Sequence, residues 1–456
     1  MGKLAQEFIE RTQDLIGNES FALLEDTLLN SSTPVSIRLN RMKGLALAKD
    51  LRPVAWCEGA YYLPERPRFT LDPLLHAGAY YVQEASSMFV SQAVKQYVKQ
   101  PVKCLDLCAA PGGKSTLLLD ALPERSLVVS NEVIRSRCQI LSENCIKWGS
   151  PFSIVTNNDP ADFAKLQGLF DIVVADVPCS GEGMFRKDPE SRKHWTLENV
   201  KLCASRSRRI IQDCWATLKP GGLLLYSTCT YNKEENEENI THFMQTLGAE
   251  PLEIDLDPAW GISPAVHADI PAYRFFPHMM QGEGFFMALL RKPIDALPPS
   301  KMSPAKKKMK ASKQQPIPQL FKDWIKSGKT VYSFEQKGSD YIAIPLLYKD
   351  TYELIRDNLR ILSCGVTLGQ VKGKDTYVPA HALALSTEIA PAAFPICELS
   401  LEDALTYLRK EVLLLPDEYP KGYVLVKYKG HALGFVKQIG SRANNLYPDA
   451  WRIRYS

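Results

Sequence analysis

The sequence predicts an α/β protein built on a Rossmann-like, doubly wound sheet with smaller units appended, and three observations predict it. From about residue 100 to 292, short apolar runs of strand character alternate with stretches of helical spacing. Three of those runs end in chemically equipped segments: Cys108-Ala109-Ala110-Pro111-Gly112-Gly113-Lys114-Ser115, Asp176-Val177-Pro178-Cys179-Ser180-Gly181-Glu182-Gly183 and Ser227-Thr228-Cys229-Thr230-Tyr231. At Pro293 the alternation stops and a Pro/Lys-rich stretch begins. Open parallel sheets bind ligands beyond the carboxyl ends of their strands. A glycine turn and two thiols are therefore expected in one crevice, facing an electrophilic, ring-like substrate.

The elements follow in order. Residues 1–75 open with helix-like spacing at Leu4, Phe8, Ile9, Leu15 and Ile16, then turn extended around Val35-Ser36-Ile37-Arg38-Leu39-Asn40. Strands are expected at 102–107, 126–131, 152–156, 170–176, 222–228 and 285–290, within a unit spanning 76–293. Residues 294–318 carry Pro298-Pro299-Ser300, Lys306-Lys307-Lys308-Met309-Lys310, Pro316 and Pro318, and read as a basic linker. A nuclear-import signal is the other reading of the lysine run. A small α+β domain (319–395) and a β-rich domain (396–456) are expected beyond it.

At 456 residues the chain exceeds one ordinary core. No apolar run approaches the roughly 18–20 residues that span a membrane, and the N-terminus has no apolar signal segment, so a cytoplasmic address is expected. The eleven cysteines are scattered and odd in number, with no C-x-x-C pair, which argues against a disulfide framework or a metal cluster. The net charge of +4 is unevenly spread: residues 294–456 hold 24 Lys+Arg against 16 Asp+Glu, while the rest of the chain is mildly acidic. A basic appendage of this kind suits a polyanion.

The Gly112-Gly113 turn fits neither a dinucleotide fingerprint nor a P-loop, and alone it indicates only a nucleotide-like cofactor. Glu132, at the end of the second expected strand, is placed for ribose hydroxyls. Asp159, after the third strand, is placed for a base or exocyclic amine, with a turn or helix cap as the alternative.

The segments Cys108–Ser115, Asp176–Gly183 and Ser227–Tyr231, taken in this order, resemble motifs of the Nol1/Nop2/Sun family of RNA 5-methylcytosine methyltransferases. Gly78-Ala79-Tyr80-Tyr81-Val82-Gln83-Glu84-Ala85-Ser86-Ser87 resembles the segment leading into that family's catalytic domain. The resemblance implies a class I methyltransferase fold and S-adenosylmethionine as cofactor. By position it assigns Cys108, Ala109, Ala110, Pro111, Gly112, Gly113, Lys114, Glu132, Asp159 and Asp176 to the cofactor pocket.

Cytosine C5 is a poor nucleophile until a thiolate adds to C6 and makes the ring enamine-like. Hydrogen bonding or proton donation at N3 favours that addition, and Asp176 is the nearest candidate acid. Chemistry alone leaves open which cysteine attacks. The resemblance selects Cys229 as nucleophile and gives Cys179 a role in product release.

Candidate RNA contacts are Met184-Phe185-Arg186-Lys187-Asp188-Pro189, with Phe185 against an unstacked base, and Ser205-Arg206-Ser207-Arg208-Arg209, which also reads as a solvated helix face. His194-Trp195 reads as packing. Glu234-Glu235-Asn236-Glu237-Glu238 would repel RNA and is expected as an outward helix start. Near the C-terminus, Lys427, Lys429, Lys437, Arg442, Arg452 and Arg454 interleave with Tyr423, Tyr428, Phe435, Tyr447 and Trp451, a pattern suited to irregular RNA. This region resembles the PUA-like end of that family's bacterial ribosomal RNA enzymes. The expected partner is ribosomal RNA, in the small subunit, and the expected state a monomer. The alternatives are a transfer RNA methyltransferase and a ribosome-assembly factor without catalysis.

Overall fold

The computed structural model describes residues 3–46, 50–267, 269–295, 316–326, 330–373, 376–416, 418–440 and 442–454, and the lysine run of the expected linker lies outside them. Val35–Leu39 (β1), Ala60–Leu63 (β2) and Tyr80–Val82 (β3) form a small antiparallel sheet in the order β2-β1-β3. The central sheet follows with Lys103–Asp106 (β4), Leu127–Asn131 (β5), Ser153–Thr156 (β6), Phe170–Asp176 (β7) and Leu218–Thr228 (β8). Its far side holds Glu250–Leu252 (β9), Ser263–Pro264 (β10), Ala272–Phe275 (β11) and Phe285–Arg291 (β12). All six expected strands are present. They run β12-β8-β7-β4-β5-β6, parallel from β8 to β6, with β12 antiparallel to β8. Every residue of β5 and β6 is buried, as expected of strands covered on both faces. From β4 the chain winds one way through β5 and β6, then returns to β7 and winds the other way. The switch point between β4 and β7 opens the crevice.

Beyond residue 316 come Tyr332–Lys337 (β13), Asp340–Pro345 (β14), Ile361–Cys364 (β15), Val366–Lys372 (β16) and Thr376–Pro379 (β17). Four of these make a separate sheet, but β15 pairs antiparallel with β6, Cys364 opposite Ile154. Ile342, Tyr348, Tyr352 and Ile355 share one core with Leu127, Ile154 and Phe163. The 319–395 stretch, expected as a domain of its own, is thus joined to the central sheet. Ile396–Glu398 (β18), Gly422–Tyr428 (β19), His431–Gln438 (β20) and Ala443–Asn445 (β21) form the last sheet. The β19–β20 hairpin turns at Lys429 (φ 49°) and Gly430 (φ 78°), the positive-φ pair that a tight hairpin needs. Phe435 and Tyr447, expected to face RNA, are buried: Phe435 packs on Phe394 and Tyr447 on Tyr407. No helix among the described residues is long and apolar enough to cross a membrane.

The two N-terminal helices, Gln6–Ile16 and Asn18–Asn30, bury Phe8, Phe21, Leu24 and Leu28 against Phe185, Trp195, Tyr231 and Phe276. They therefore lie over the loops that follow β7 and β8. Trp195 packs as expected, but Phe185 is a core residue, 5.1 Å from the Phe8 ring, and offers no face to a base. Arg186 is equally committed, paired with Glu283 at 3.0 Å in a buried contact and bonded to the Gly282 carbonyl. Arg206 and Arg209 lie on the exposed face of the helix Leu197–Cys214, while Arg208 donates to Asn239.

Candidate active site

The turn after β4 is held open by its neighbours. Its carbonyl groups point away from the crevice: Ala110 O accepts from Arg137 (3.0 Å), Pro111 O from Asn144 (2.8 Å), and Gly112 O from the Thr116 hydroxyl (2.8 Å). Gly112 sits at φ 115°, a conformation that favours glycine. No side chain caps the helix Gly113–Ala121 that follows, so its first N–H groups remain available to a ligand. Ala109 N–H donates to Asn131 O, and the Asn131 side chain bonds Leu107 O, Asn158 O and Thr156, knitting together the ends of β4, β5 and β6.

Acidic groups ring this turn. Burial pushes Asp106 up to about 7; Ser115 donates to one of its oxygens (2.7 Å), while the other has no partner among the described residues. Glu132 is buried, accepting from Ile134 N–H (2.9 Å) with Arg137 at 3.7 Å. Asp159 is exposed and caps the short helix Pro160–Lys165 through Ala161 N–H (3.0 Å), the alternative foreseen for it. Cys108 lies two residues beyond β4, and burial pushes its thiol well up.

Asp176 ends β7 beside Ser227, its register partner on β8. Ser227 donates to it at 2.8 Å, and Lys114, from the glycine turn, pairs with it at 2.9 Å. Burial is the largest single influence on Lys114 and disfavours its charge, but Asp176, aided by Asp106 and Cys229, outweighs it and holds the ammonium above its ordinary range. One ion pair thus joins the glycine turn to the end of β7.

The two expected thiols meet. Cys179 Sγ lies 3.1 Å from Cys229 Sγ, and Cys229 N–H also donates to Cys179 Sγ at 3.3 Å. Both residues are half-buried, and neither is in a disulfide. Cys179 is pushed well above the usual thiol range, first by its hydrogen bond to Cys229, then by burial, then by the charges of Cys229 and Glu235. Either sulfur can donate in the S–H···S contact, and Cys179 also accepts from the Cys229 backbone.

A buried polar clamp fixes the spacing of the two cysteine loops. Glu182, three residues after Cys179, accepts from Tyr231 N–H (2.7 Å), Asn232 N–H (2.9 Å) and Trp195 (3.0 Å). Glu235 returns the contact, accepting from Ser180 N–H (3.0 Å) and the Asn232 amide (2.7 Å). Burial and the charge of Glu182 push Glu235 up to about 7. The expectation of an outward acidic helix start is therefore corrected: Glu235, Asn236 and Glu237 are fully buried, and Glu237 is paired with the buried Arg274. Arg38 was also missed. Its buried guanidinium reaches Gln83 (3.0 Å) and Thr116 (2.7 Å) and lies 4.5 Å from the Trp148 ring, tying β1 to the helix behind the glycine turn.

A doubly wound sheet of this order, with a glycine turn at its switch point, defines a Rossmann-like methyltransferase, here with N- and C-terminal additions. Residues 97–291 match the family model of the 16S rRNA methyltransferase RsmB/F, 4–85 the N-terminal domain of 16S rRNA methyltransferase RsmF, and 394–453 the methyltransferase RsmF PUA domain. Ribosomal RNA small subunit methyltransferase F of Vibrio atlanticus is 30% identical over 443 residues, covering 91% of this chain and 90% of the relative. The protein of the same name from Aliivibrio fischeri is 31% identical, over 88% and 85%. Two solved structures share the fold over 63% of this chain. One is a methyltransferase homolog protein from Pyrococcus horikoshii (24% identity, TM-score 0.53, 95% of that chain). The other is NSun6 from the same organism with SFG (20%, 0.54, 98%). The chain belongs to the ribosomal RNA small subunit methyltransferase F family.

Proposed function

We propose that this chain methylates C5 of a cytosine in small-subunit ribosomal RNA, using S-adenosylmethionine and a transient bond between Cys229 and C6 of the base. The observation that carries the reading is the pair of sulfurs 3.1 Å apart at the ends of neighbouring strands. The names of the curated relatives support the choice of RNA.

The residues around the turn fit the cofactor. Uncapped N–H groups at Gly113 and Lys114 suit its carboxylate, Glu132 its ribose and Asp159 its adenine, while Asp176 offers negative charge to a sulfonium. When bound, S-adenosylmethionine supplies an electrophilic methyl group. Cys229 adds to C6, and the Lys114–Asp176 pair holds a proton at N3 while charge builds on the ring. After methyl transfer, loss of the C5 proton to water returns its electron pair to the C5–C6 bond and expels Cys229 as a thiolate. The protonated Cys179 receives that sulfur with a hydrogen bond.

The test is bisulfite mapping of small-subunit RNA after incubation with cofactor and either the wild-type chain or Cys229→Ala. A new 5-methylcytosine with the wild type only is expected. Methylation at another atom, or at C5 by the variant, would overturn the reading.

A further inference from the structure

A second cluster of charge lies far from the thiols. Met42 and Lys43, then Lys326, then residues 384–396 and the β19–β20 hairpin line a groove of about 330 Å³ where the three smaller units meet. Its apolar wall includes Leu385, Phe394 and Leu425, with Met42 and Ile396 about 40% exposed at its edges. Its ionisable groups are Lys43, Lys326, Lys427 and His431, with no Asp or Glu among the lining residues.

Counter-charge for these cations is sparse: Glu398, the register partner of Lys427 across β18 and β19, is the acid beside them. None of the three lysines makes an ion pair among the described residues. Lys43 Nζ donates to the carbonyl groups of Ala77 (2.5 Å) and Lys147 (2.6 Å), which orient the ammonium without neutralising it. Burial pushes Lys43 down to about 7, and His431 is lowered by burial and then by Lys43. Glu398 is the nearby acid that acts on His431, and one of its oxygens is taken by Gly430 N–H. Lys326 Nζ donates to Thr387 O. Crowded, partly desolvated like charges are costly unless an anion joins them.

We propose that this groove binds single-stranded RNA, its phosphodiester held by Lys43, Lys326 and Lys427 and an unstacked base resting on the apolar wall. The inference rests on the RNA reading above but concerns a different place. The helix Arg135–Trp148 runs from the Glu132 corner of the crevice to Lys147, whose carbonyl holds Lys43. At 1.5 Å per residue it separates the two by about 20 Å. The groove therefore engages RNA flanking the target, not the target base.

The test measures binding of the full chain to a single-stranded small-subunit RNA fragment by anisotropy, across a potassium chloride series. The Lys326→Gln/Lys427→Gln double variant, which spares the half-buried Lys43, is expected to bind about tenfold more weakly near 0.1 M salt. Its slope of log K against log salt should shrink by about 1.4, the value for two lost single-strand phosphate contacts. Thermal midpoint and cofactor affinity should hold, and methylation should show a raised KM at unchanged kcat. An unchanged affinity and slope in the double variant would overturn the proposal. So would retained binding to naked RNA with lost binding to the intact subunit, which would assign the groove to a ribosomal protein. Because the anisotropy arm needs no methyl transfer, its failure leaves the cytosine reading standing, and the converse holds.

Discussion

Cys179→Ala removes the sulfur that lies 3.1 Å from Cys229 and the acceptor of the Cys229 N–H. Before attack the loss is a matter of orientation; at release it bears on the rate. A hydrogen bond to a charged group contributes about 1.5–3 kcal/mol, and Cys179, whose thiol keeps its proton, is placed to make that bond to the sulfur as it leaves. With about 1.4 kcal/mol per factor of ten, cleavage of the C6–S bond should slow by roughly 10- to 150-fold while attack and methyl transfer proceed. The variant should therefore accumulate a protein–RNA adduct. End-labelled RNA, run on a denaturing gel after timed quenches, would give both its amount and its decay. Cys179→Ser, which keeps a donor on a shorter reach, should fall between the two. A Cys179→Ala enzyme that turns over at the wild-type rate with no adduct would refute the release role. An adduct from Cys229→Ala alone would move the nucleophile to Cys179.

Three further outcomes are expected. Glu235 is raised by burial to about 7, so the folded state binds its proton more tightly than the unfolded chain does. The stability this confers is present below about pH 4.5 and lost as pH rises through 7, an effect of about 3 kcal/mol. Glu235→Gln should flatten that fall in urea titrations relative to wild type. Asp106 titrates in the same window in both proteins, so equal slopes would remove Glu235 as the cause. Glu132→Ala should weaken S-adenosylmethionine binding by calorimetry while RNA binding persists; unchanged cofactor affinity would take Glu132 out of the pocket. Truncation after residue 293 strips Ile342, Tyr348, Tyr352 and Ile355 from the main core. At about 1.5–3 kcal/mol each, the loss of roughly 6–12 kcal/mol rivals the whole stability of a domain. A cooperative melt near the wild-type midpoint would show that the remaining body stands alone.

The sheet was legible because strands covered on both faces are written as unbroken apolar runs, and because its chemistry sits immediately after them. The meeting of Cys179 and Cys229 followed from that position alone. What stayed hidden depends on partners distant in sequence. An acidic run reads as solvated unless Arg274 is known to lie against Glu237, and the Cys179 loop against Glu235. Phe185 reads as a base platform until Phe8 covers it. In the C-terminal sheet an aromatic on a strand points inward or outward by its place in the pleat, so Phe435 went inside while Tyr423 and Tyr428 stayed half-exposed beside Lys437 and Lys429. Arg38 carried no local signal, since its ring and hydroxyl partners belong to other elements.

The pairing of β15 with β6 also sets a schedule for synthesis. Ile154 finds its neighbour only when Cys364, some two hundred residues later, has been made. At about 5–20 residues per second, that interval is on the order of 10–40 s. For that time a nascent chain able to form β4, β5 and β6 carries an unpaired edge of fully buried-type residues, the kind of edge that recruits foreign strands. The length of the intervening segment adds little to the cost of closing the sheet, because loop entropy grows only logarithmically. Ribosomal pauses before residue 364 should therefore govern the yield of folded enzyme more than pauses after it.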